Sequence, residues 1–154
     1  MTQNPNDSRL LTPGPLTTSQ ETKLAMLHDW GSRDTEFIEI NRRFRKQLLE
    51  MASAEPTHVC VPMQGSGTFI VEAVLGSLIP PEGKALILIN GAYGRRMAKM
   101  MDYLKREYLV HETPEDTVPI LTQLDSTLAG DAEFSHVLVV HCETTSGILN
   151  PIDE

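Results

Sequence analysis

The chain has 154 residues, of which 40% are hydrophobic and 22% charged, a composition typical of a soluble globular domain. Its 13 basic and 21 acidic residues give a net charge of −8, which repels a phosphate backbone, so we expect no nucleic acid partner. No apolar run approaches the about 20 residues that cross a bilayer, and Met1–Arg9 lacks a signal-peptide core, so we expect a cytoplasmic protein without a membrane partner.

The first 51 residues predict a loop of fixed shape followed by two helices. Two prolines bracket a glycine within Leu10–Pro15, which excludes a helix there and favours a tight, extended loop. Thr18 or Ser19 can cap a short helix that runs to about His28. A longer helix is expected after Asp34, since apolar residues recur every three to four positions at Phe37, Ile40, Phe44, Leu48 and Met51.

From residue 58 onward, short apolar runs alternate with helical stretches. The expected elements are strands at 58–63, 84–90, 108–112 and 136–143, and helices at 68–78, 93–107 and 119–128. Strands that are apolar on both faces and separated by helices predict an α/β fold with a mainly parallel sheet flanked by helices. The methionines of the helix predicted at 93–107 are expected to fill the core: Met97, Met100 and Met101.

The metal-binding and redox residue types are scattered. Cys60 and Cys142 have no CxxC partner, so we expect two small buried residues and no disulfide. The five histidines lack ligand spacing, and we expect no metal site. Glu72 and Glu143 could be functional carboxylates, although a role in a helix face or a loop is simpler.

The loop at 64–68 (QGSGT) is predicted to leave a strand and open a helix. Its glycines allow close approach of an anion, the first helical N–H groups point outward, and the Ser66 and Thr68 hydroxyls can donate further hydrogen bonds. The loop is neither a Walker A motif, which needs a lysine after the last glycine, nor a dinucleotide fingerprint, because Ile70 replaces its third glycine. Taken alone, it could equally be a plain helix cap.

Two further loops are expected beyond the carboxyl ends of strands, where α/β folds bind ligands. In the loop at 90–96, Tyr93 lies between two glycines and could stack on a flat ring or simply pack at the rim of the sheet. The loop at 143–147 (ETTSG) offers hydroxyls that could bond a ring substituent or belong to a polar turn. Together the three loops would place a phosphate site, a ring-stacking group and a hydroxyl donor side by side, which is the combination that binding of pyridoxal phosphate requires.

The sequence resembles class V aminotransferases, which are pyridoxal-phosphate enzymes of fold type I, and within them most closely the 2-aminoethylphosphonate:pyruvate group. The similar motifs, in order, are 11–15 (LTPGP), 29–34 (DWGSRD), 64–68 (QGSGT), 71–73 (VEA), 90–94 (NGAYG) and 141–147 (HCETTSG). The resemblance covers residues 10–154. It implies an incomplete large domain at 35–154, preceded by a loop and helix segment at 1–34.

Residue roles follow from the resemblance motif by motif. It implies that Ser66, Gly67 and Thr68 hold the cofactor phosphate, that Tyr93 stacks on the pyridine ring, and that Thr144 contacts the ring near its 3-hydroxyl group. It also implies a substrate pocket lined by Thr12, Pro13, Gly14 and Pro15. The complete enzyme would be a homodimer that transfers the amino group of 2-aminoethylphosphonate to pyruvate, in phosphonate degradation, giving phosphonoacetaldehyde and L-alanine.

The chain departs from the family in one respect. The lysine that bonds the cofactor, the aspartate that pairs with its ring nitrogen and the small C-terminal domain would all lie beyond Glu154, so no catalytic residue is expected within the chain. We therefore expect residues 1–154 to be inactive alone. The alternatives are a sister activity, such as alanine:glyoxylate or serine:pyruvate transamination, and a non-catalytic remnant that acts only through subunit association.

Overall fold

A computed structural model describes residues 8–12, 14–130 and 133–153 of the chain. The chain divides into two compact units, Met1–Gln64 and Gly65–Glu154. No helix in the described residues is both long enough and apolar enough to cross a membrane.

The first unit opens with the predicted loop. A bridge between Leu11 and Leu16 closes it, and the Thr17 N–H donates to the Leu10 carbonyl at 3.1 Å. Helix α1, Gln20–Ala25, follows because the Ser19 hydroxyl accepts the Thr22 N–H and caps its first turn. The helix stops short of the predicted end at His28.

The long helix α2, Thr35–Met51, begins where the sequence predicts. Asp34 does not cap it, because its carboxylate instead accepts the Gly31 N–H at 2.8 Å. The helix contains no buried residue, and its apolar face stays open: Ile40, Phe44 and Leu48 are 36%, 45% and 38% exposed. The apolar periodicity therefore predicted the helix correctly, but nothing within the described part of this unit buries its face.

The strand predicted at 58–63 is wrong. These residues form no strand, and Val59 and Val61 are largely exposed. The Cys60 carbonyl instead accepts a hydrogen bond from Arg45 Nε at 2.8 Å. An apolar run becomes a strand only if a neighbouring strand pairs with it, and none of the strands in the described residues does so here.

The second unit is an α/β layer built on a three-stranded parallel sheet of order β2-β1-β3. The strands are β1, Lys84–Ile89, β2, Glu107–Glu112, and β3, Phe134–Leu138; the helices are α3, Gly67–Leu78, α4, Ala92–Leu104, and α5, Leu121–Gly130. The last predicted strand, 136–143, is split: β3 ends at Leu138, and Cys142–Glu143 (β4) pairs antiparallel with Ile148–Leu149 (β5). The predicted α/β class with a mainly parallel sheet is confirmed.

The core of this unit surrounds β1, where Ala85–Ile89 are all buried. The α4 methionines pack there with Leu75 and Ile79, which confirms that the methionine stripe is core filler: Met97, Met100 and Met101. The prediction of two buried cysteines is wrong, because Cys142 is exposed and Cys60 is only half-buried. Cys142 precedes the buried Glu143 in β4, and because successive side chains of a strand point to opposite faces, Cys142 faces outward.

Candidate functional site

The candidate site lies in the second unit, where α3 and α4 begin and where the chain continues after β3. In a parallel sheet all strands end at one edge, so loops that follow β1 and β3 are brought together there. The segments concerned are 65–68, 90–96 and 141–147.

Helix α3 begins as the sequence predicts. Gly65 has φ +152°, a conformation that a side chain would strain, and an added Cβ would lie 2.8 Å from the Phe69 ring. Ser66 caps the helix by accepting the Phe69 N–H at 3.2 Å. Within the described residues no acceptor bonds the Gly67 or Thr68 N–H, and Ser66 and Gly67 are exposed. This helix start thus presents two outward N–H groups and a half-buried hydroxyl.

Helix α4 begins differently. Its N-cap, Gly91, has no side chain, and the first N–H groups donate to the loop after β3 instead. The Ala92 N–H donates to Thr145 Oγ1, and the Tyr93 N–H donates to Glu143 Oε2, both at 3.2 Å. Residues some 50 positions away therefore supply the cap that the local sequence lacks.

Glu143 is completely buried at this junction. Its Oε1 also accepts the Thr145 hydroxyl at 2.7 Å and the Thr145 N–H at 3.2 Å, so both carboxylate oxygens have donors. Gly91 makes room for it, because an added Cβ would lie 2.3 Å from Glu143 Cδ. The sequence leaves Glu143 as a functional carboxylate or, more simply, a loop residue, and its contact with Tyr93 has no signal in the sequence, since that contact depends on the pairing of β1 with β3.

Arg96 connects the two helix starts. Its Nη1 donates to Thr68 Oγ1 at 3.0 Å, and its guanidinium carbon lies 5.0 Å from the centre of the Tyr93 ring. Tyr93 is 41% exposed. Through Arg96, Glu143 and Thr145, direct contacts therefore join the segments that carry the five predicted cofactor residues, namely Ser66, Gly67, Thr68, Tyr93 and Thr144. Thr144 itself is exposed, between Glu143 and Thr145.

Arg95, next along α4, is engaged elsewhere. Its Nε donates to Glu112 at 2.9 Å and its Nη1 to Glu115 at 2.7 Å. The hydrogen bonds to Glu115 and Glu112 raise the pKa of the Arg95 guanidinium above its ordinary value. Its charge is thus locally compensated.

Two buried amides fix the loop after β3 to the end of β1. Asn90 Nδ2 donates to Asn150 Oδ1 at 2.8 Å, and Asn150 Nδ2 returns a bond of 3.1 Å. Asn150 Nδ2 also donates to the Val140 carbonyl at 2.7 Å, and Asn90 Nδ2 to the Thr117 carbonyl at 3.2 Å. Because buried amides are costly unless bonded, this arrangement holds the two ends of the loop in one position.

The predicted substrate residues belong to the first unit. Thr12, Gly14 and Pro15 are exposed, and the Thr12 hydroxyl donates to the Pro15 carbonyl, which folds the loop on itself. Pro13 lies outside the described residues.

Cavities in both units lie away from the three segments. One of about 690 Å³ in the first unit is lined by basic and apolar side chains that include Arg42, Arg45 and Lys46. One of about 300 Å³ in the second unit is entirely apolar, between α3 residues such as Val71 and Val74 and the end of β3. In the described part of the chain, no three His, Cys, Asp or Glu side chains cluster to hold a metal ion.

Known proteins with similar sequences are transaminases. The chain is 50% identical over 144 residues to a 2-aminoethylphosphonate–pyruvate transaminase of Pseudomonas aeruginosa strain UCBPP-PA14, and 52% identical over 145 residues to one of Pseudomonas putida strain GB-1. Each match covers 94% of the chain. The chain is therefore similar in sequence to 2-aminoethylphosphonate–pyruvate transaminases. It spans about 39% of the length of these relatives.

Solved structures of aminotransferases superpose closely on this chain. Alanine–glyoxylate aminotransferase from Nostoc sp. superposes with a TM-score of 0.83 at 25% identity, covering 99% of this chain and 40% of that one. Pyridoxamine–pyruvate aminotransferase from Mesorhizobium loti superposes at 0.84 and 23% identity, covering 95% and 37%, and supports the fold alone. The predicted fold, part of a fold type I large domain, is confirmed. No protein-family model matches the chain.

Proposed function

We propose that the protein carrying this chain transfers the amino group of 2-aminoethylphosphonate to pyruvate. The observation that carries the proposal is the open start of α3, whose Gly67 and Thr68 N–H groups have no acceptor in the described residues, in contact through Arg96 with Tyr93. Sequence identity of 50–52% with named 2-aminoethylphosphonate–pyruvate transaminases, against 25% with the alanine–glyoxylate enzyme, favours this activity over its sister.

Pyridoxal phosphate fits the residues present. A phosphate dianion suits the free N–H groups of Gly67 and Thr68 and the hydroxyls beside them, while the α4 start is already filled by Glu143 and repels an anion. Tyr93 would lie against the pyridine ring, and the Thr144 hydroxyl would bond near its 3-hydroxyl group. When bound, the cofactor supplies an electron sink for the carbon that bears the amino group.

The residues of this chain would contribute binding and orientation. The doubly hydrogen-bonded Asn90–Asn150 pair and the Glu143 cap would keep the loops that carry Tyr93 and Thr144 in place, so that the cofactor ring is held at one angle. Thr12, Pro13, Gly14 and Pro15 would line the substrate pocket. We assign residues 1–34 to a substrate-loop segment and 35–154 to the cofactor-binding domain, within a cytoplasmic homodimer.

An assay of amino donors and acceptors tests the proposal. The full-length product of the gene that encodes this chain would be given 2-aminoethylphosphonate with pyruvate, and alanine with glyoxylate. We expect kcat/KM for the first pair to exceed that for the second by at least about a hundredfold, as expected for a site that binds a polar group specifically. Preference for alanine and glyoxylate would assign the sister activity.

Residues 1–154 alone should not catalyse transamination. None of their lysines occupies the context of the cofactor-bonding lysine, so no base is placed to move a proton at the substrate carbon. Residues 1–154, mixed with pyridoxal phosphate, 2-aminoethylphosphonate and pyruvate, should form no alanine above background. Formation of alanine would overturn the assignment of the catalytic lysine beyond Glu154.

A further inference from the structure

Two adjacent arginines of α4 have different surroundings. Arg95 forms ion pairs with Glu112 and Glu115, whereas Arg96 has no carboxylate within ion-pair distance among the described residues. Instead, Arg96 donates from Nη1 to Thr68 Oγ1 and lies against the Tyr93 ring. An exposed guanidinium that is bonded to a hydroxyl and has no counter-ion remains able to attract an anion.

The hydrogen bond from Arg96 to Thr68 determines whether the Thr68 hydroxyl can act as a donor to other groups. A guanidinium has only donors, so Thr68 Oγ1 must accept in this contact. The single hydroxyl proton of Thr68 is then left to donate to another acceptor, and the charge on Arg96 polarises it. A phosphate oxygen at the α3 start is an acceptor of the required kind.

The contact between Arg96 and Tyr93 determines which face of the aromatic ring is available to a ligand. The guanidinium occupies one face of the ring at 5.0 Å, a separation at which a cation is attracted to an aromatic face. The opposite face is then the one available to a flat ligand. One side chain therefore holds both the hydroxyl and the ring.

We propose that Arg96 is a positioning residue that couples Thr68 to Tyr93. It directs the Thr68 hydroxyl proton towards the phosphate of the bound cofactor, and it packs on the face of the Tyr93 ring opposite the one that the cofactor would occupy. This inference rests on the proposed function, because it takes the α3 start as the phosphate site. Arg95, one residue away, has the same charge and a different partner set, and so provides a matched control.

The test compares the affinities of the full-length protein for pyridoxal phosphate and for pyridoxal, which lacks the phosphate. The variants are Arg96→Met, Arg96→Lys, Thr68→Val, the double variant Arg96→Met with Thr68→Val, and the control Arg95→Met. Dissociation constants are measured by titration, together with the melting temperature of each protein without cofactor. The ratio of the two affinities reports on the phosphate and cancels general damage to the fold.

For Arg96→Met, we expect the preference for the phosphorylated ligand to fall about tenfold, the worth of a hydrogen bond with a charged partner. In the Thr68→Val background the same change should alter the preference by less than about twofold, because the hydroxyl that Arg96 orients is already gone. Arg96→Lys should fall between Arg96→Met and the unmodified protein, since it keeps the charge and loses the planar fork. Arg95→Met should leave the preference unchanged.

Three results would overturn the inference: an unchanged preference in Arg96→Met, an equal effect of Arg96→Met with and without the Thr68 hydroxyl, or an equal loss in Arg95→Met. If Arg96→Met does not fold, an unchanged preference in Arg96→Lys overturns it as well. A protein that binds both ligands equally before any substitution would contradict the proposed phosphate site itself, and so separates the failure of that proposal from the failure of this one.

Discussion

Helices α3 and α4 both begin in loops that the sequence marks with glycine, yet their first N–H groups meet different partners. At α4 a buried carboxylate and a hydroxyl from the loop after β3 fill the helix start. At α3 the Ser66 hydroxyl bonds one N–H, and the Gly67 and Thr68 N–H groups have no acceptor in the described residues. A filled helix start anchors the fold, and an open one is available to a ligand.

The largest effect should come from removing the acceptor that fills α4. Glu143→Ala leaves the Tyr93 and Thr145 N–H groups without a partner and a void where the side chain was, so we expect a loss of about 3 kcal/mol in the free energy of unfolding. Urea unfolding of the Glu143→Ala variant, compared with the unmodified protein, measures this loss. A loss below about 1 kcal/mol would mean that Glu143 does not anchor α4.

Gly91→Ala should act through the same contact. Its Cβ would overlap Glu143 Cδ, so either the carboxylate or the helix start must shift, at a cost of about 2 kcal/mol. In the Glu143→Ala background the substitution should cost much less, because the obstructing side chain is absent. Additive losses in the unfolding of the double variant would contradict this explanation.

Local features of the sequence predicted the open start of α3, whereas the filled start of α4 depends on tertiary structure. The run from Gln64 to Thr68 carries its own cap and its own glycines, so the start of α3 is correct to one residue. Nothing near Gly91 in the chain indicates that Glu143 caps α4, because that contact exists only once β1 and β3 have paired. The strand predicted at 58–63 was wrong for a related reason, since an apolar run does not specify a pairing partner.

Amphipathic periodicity has the same limitation. The methionine stripe of α4 is buried against β1, as predicted. The comparable stripe of α2, with Ile40, Phe44 and Leu48, remains partly exposed. Periodicity identifies the face of a helix, but burial depends on what packs against it.

A smaller effect is expected at the cap of α3. Ser66→Ala removes the acceptor of the Phe69 N–H, and exposed caps of this kind contribute about 1 kcal/mol to stability. Thermal unfolding without cofactor measures this contribution, with Ser66→Asn as the control that keeps a capping group. A loss as large as that of Glu143→Ala would show that the α3 start is an anchor rather than an open site.

The smallest effect on stability is expected at Gly67. An added Cβ there meets no atom within 4 Å, so Gly67→Ala should change the free energy of unfolding by less than about 1 kcal/mol, and in the stabilising direction, since alanine favours helix more than glycine. Urea unfolding of the substituted protein without cofactor checks this value. A destabilisation comparable to that of Gly91→Ala would contradict the contrast between the two glycines.

Amide hydrogen exchange with and without pyridoxal phosphate tests the central contrast most directly, with peptides that resolve residues 66–69 and 91–94. We expect the cofactor to slow exchange at the Gly67 and Thr68 amides by at least about tenfold, as ligand-linked protection requires. The Ala92 and Tyr93 amides, already bonded to Thr145 and Glu143, should change little. Protection at 92–93 without protection at 67–68 would contradict the assignment of the phosphate to α3.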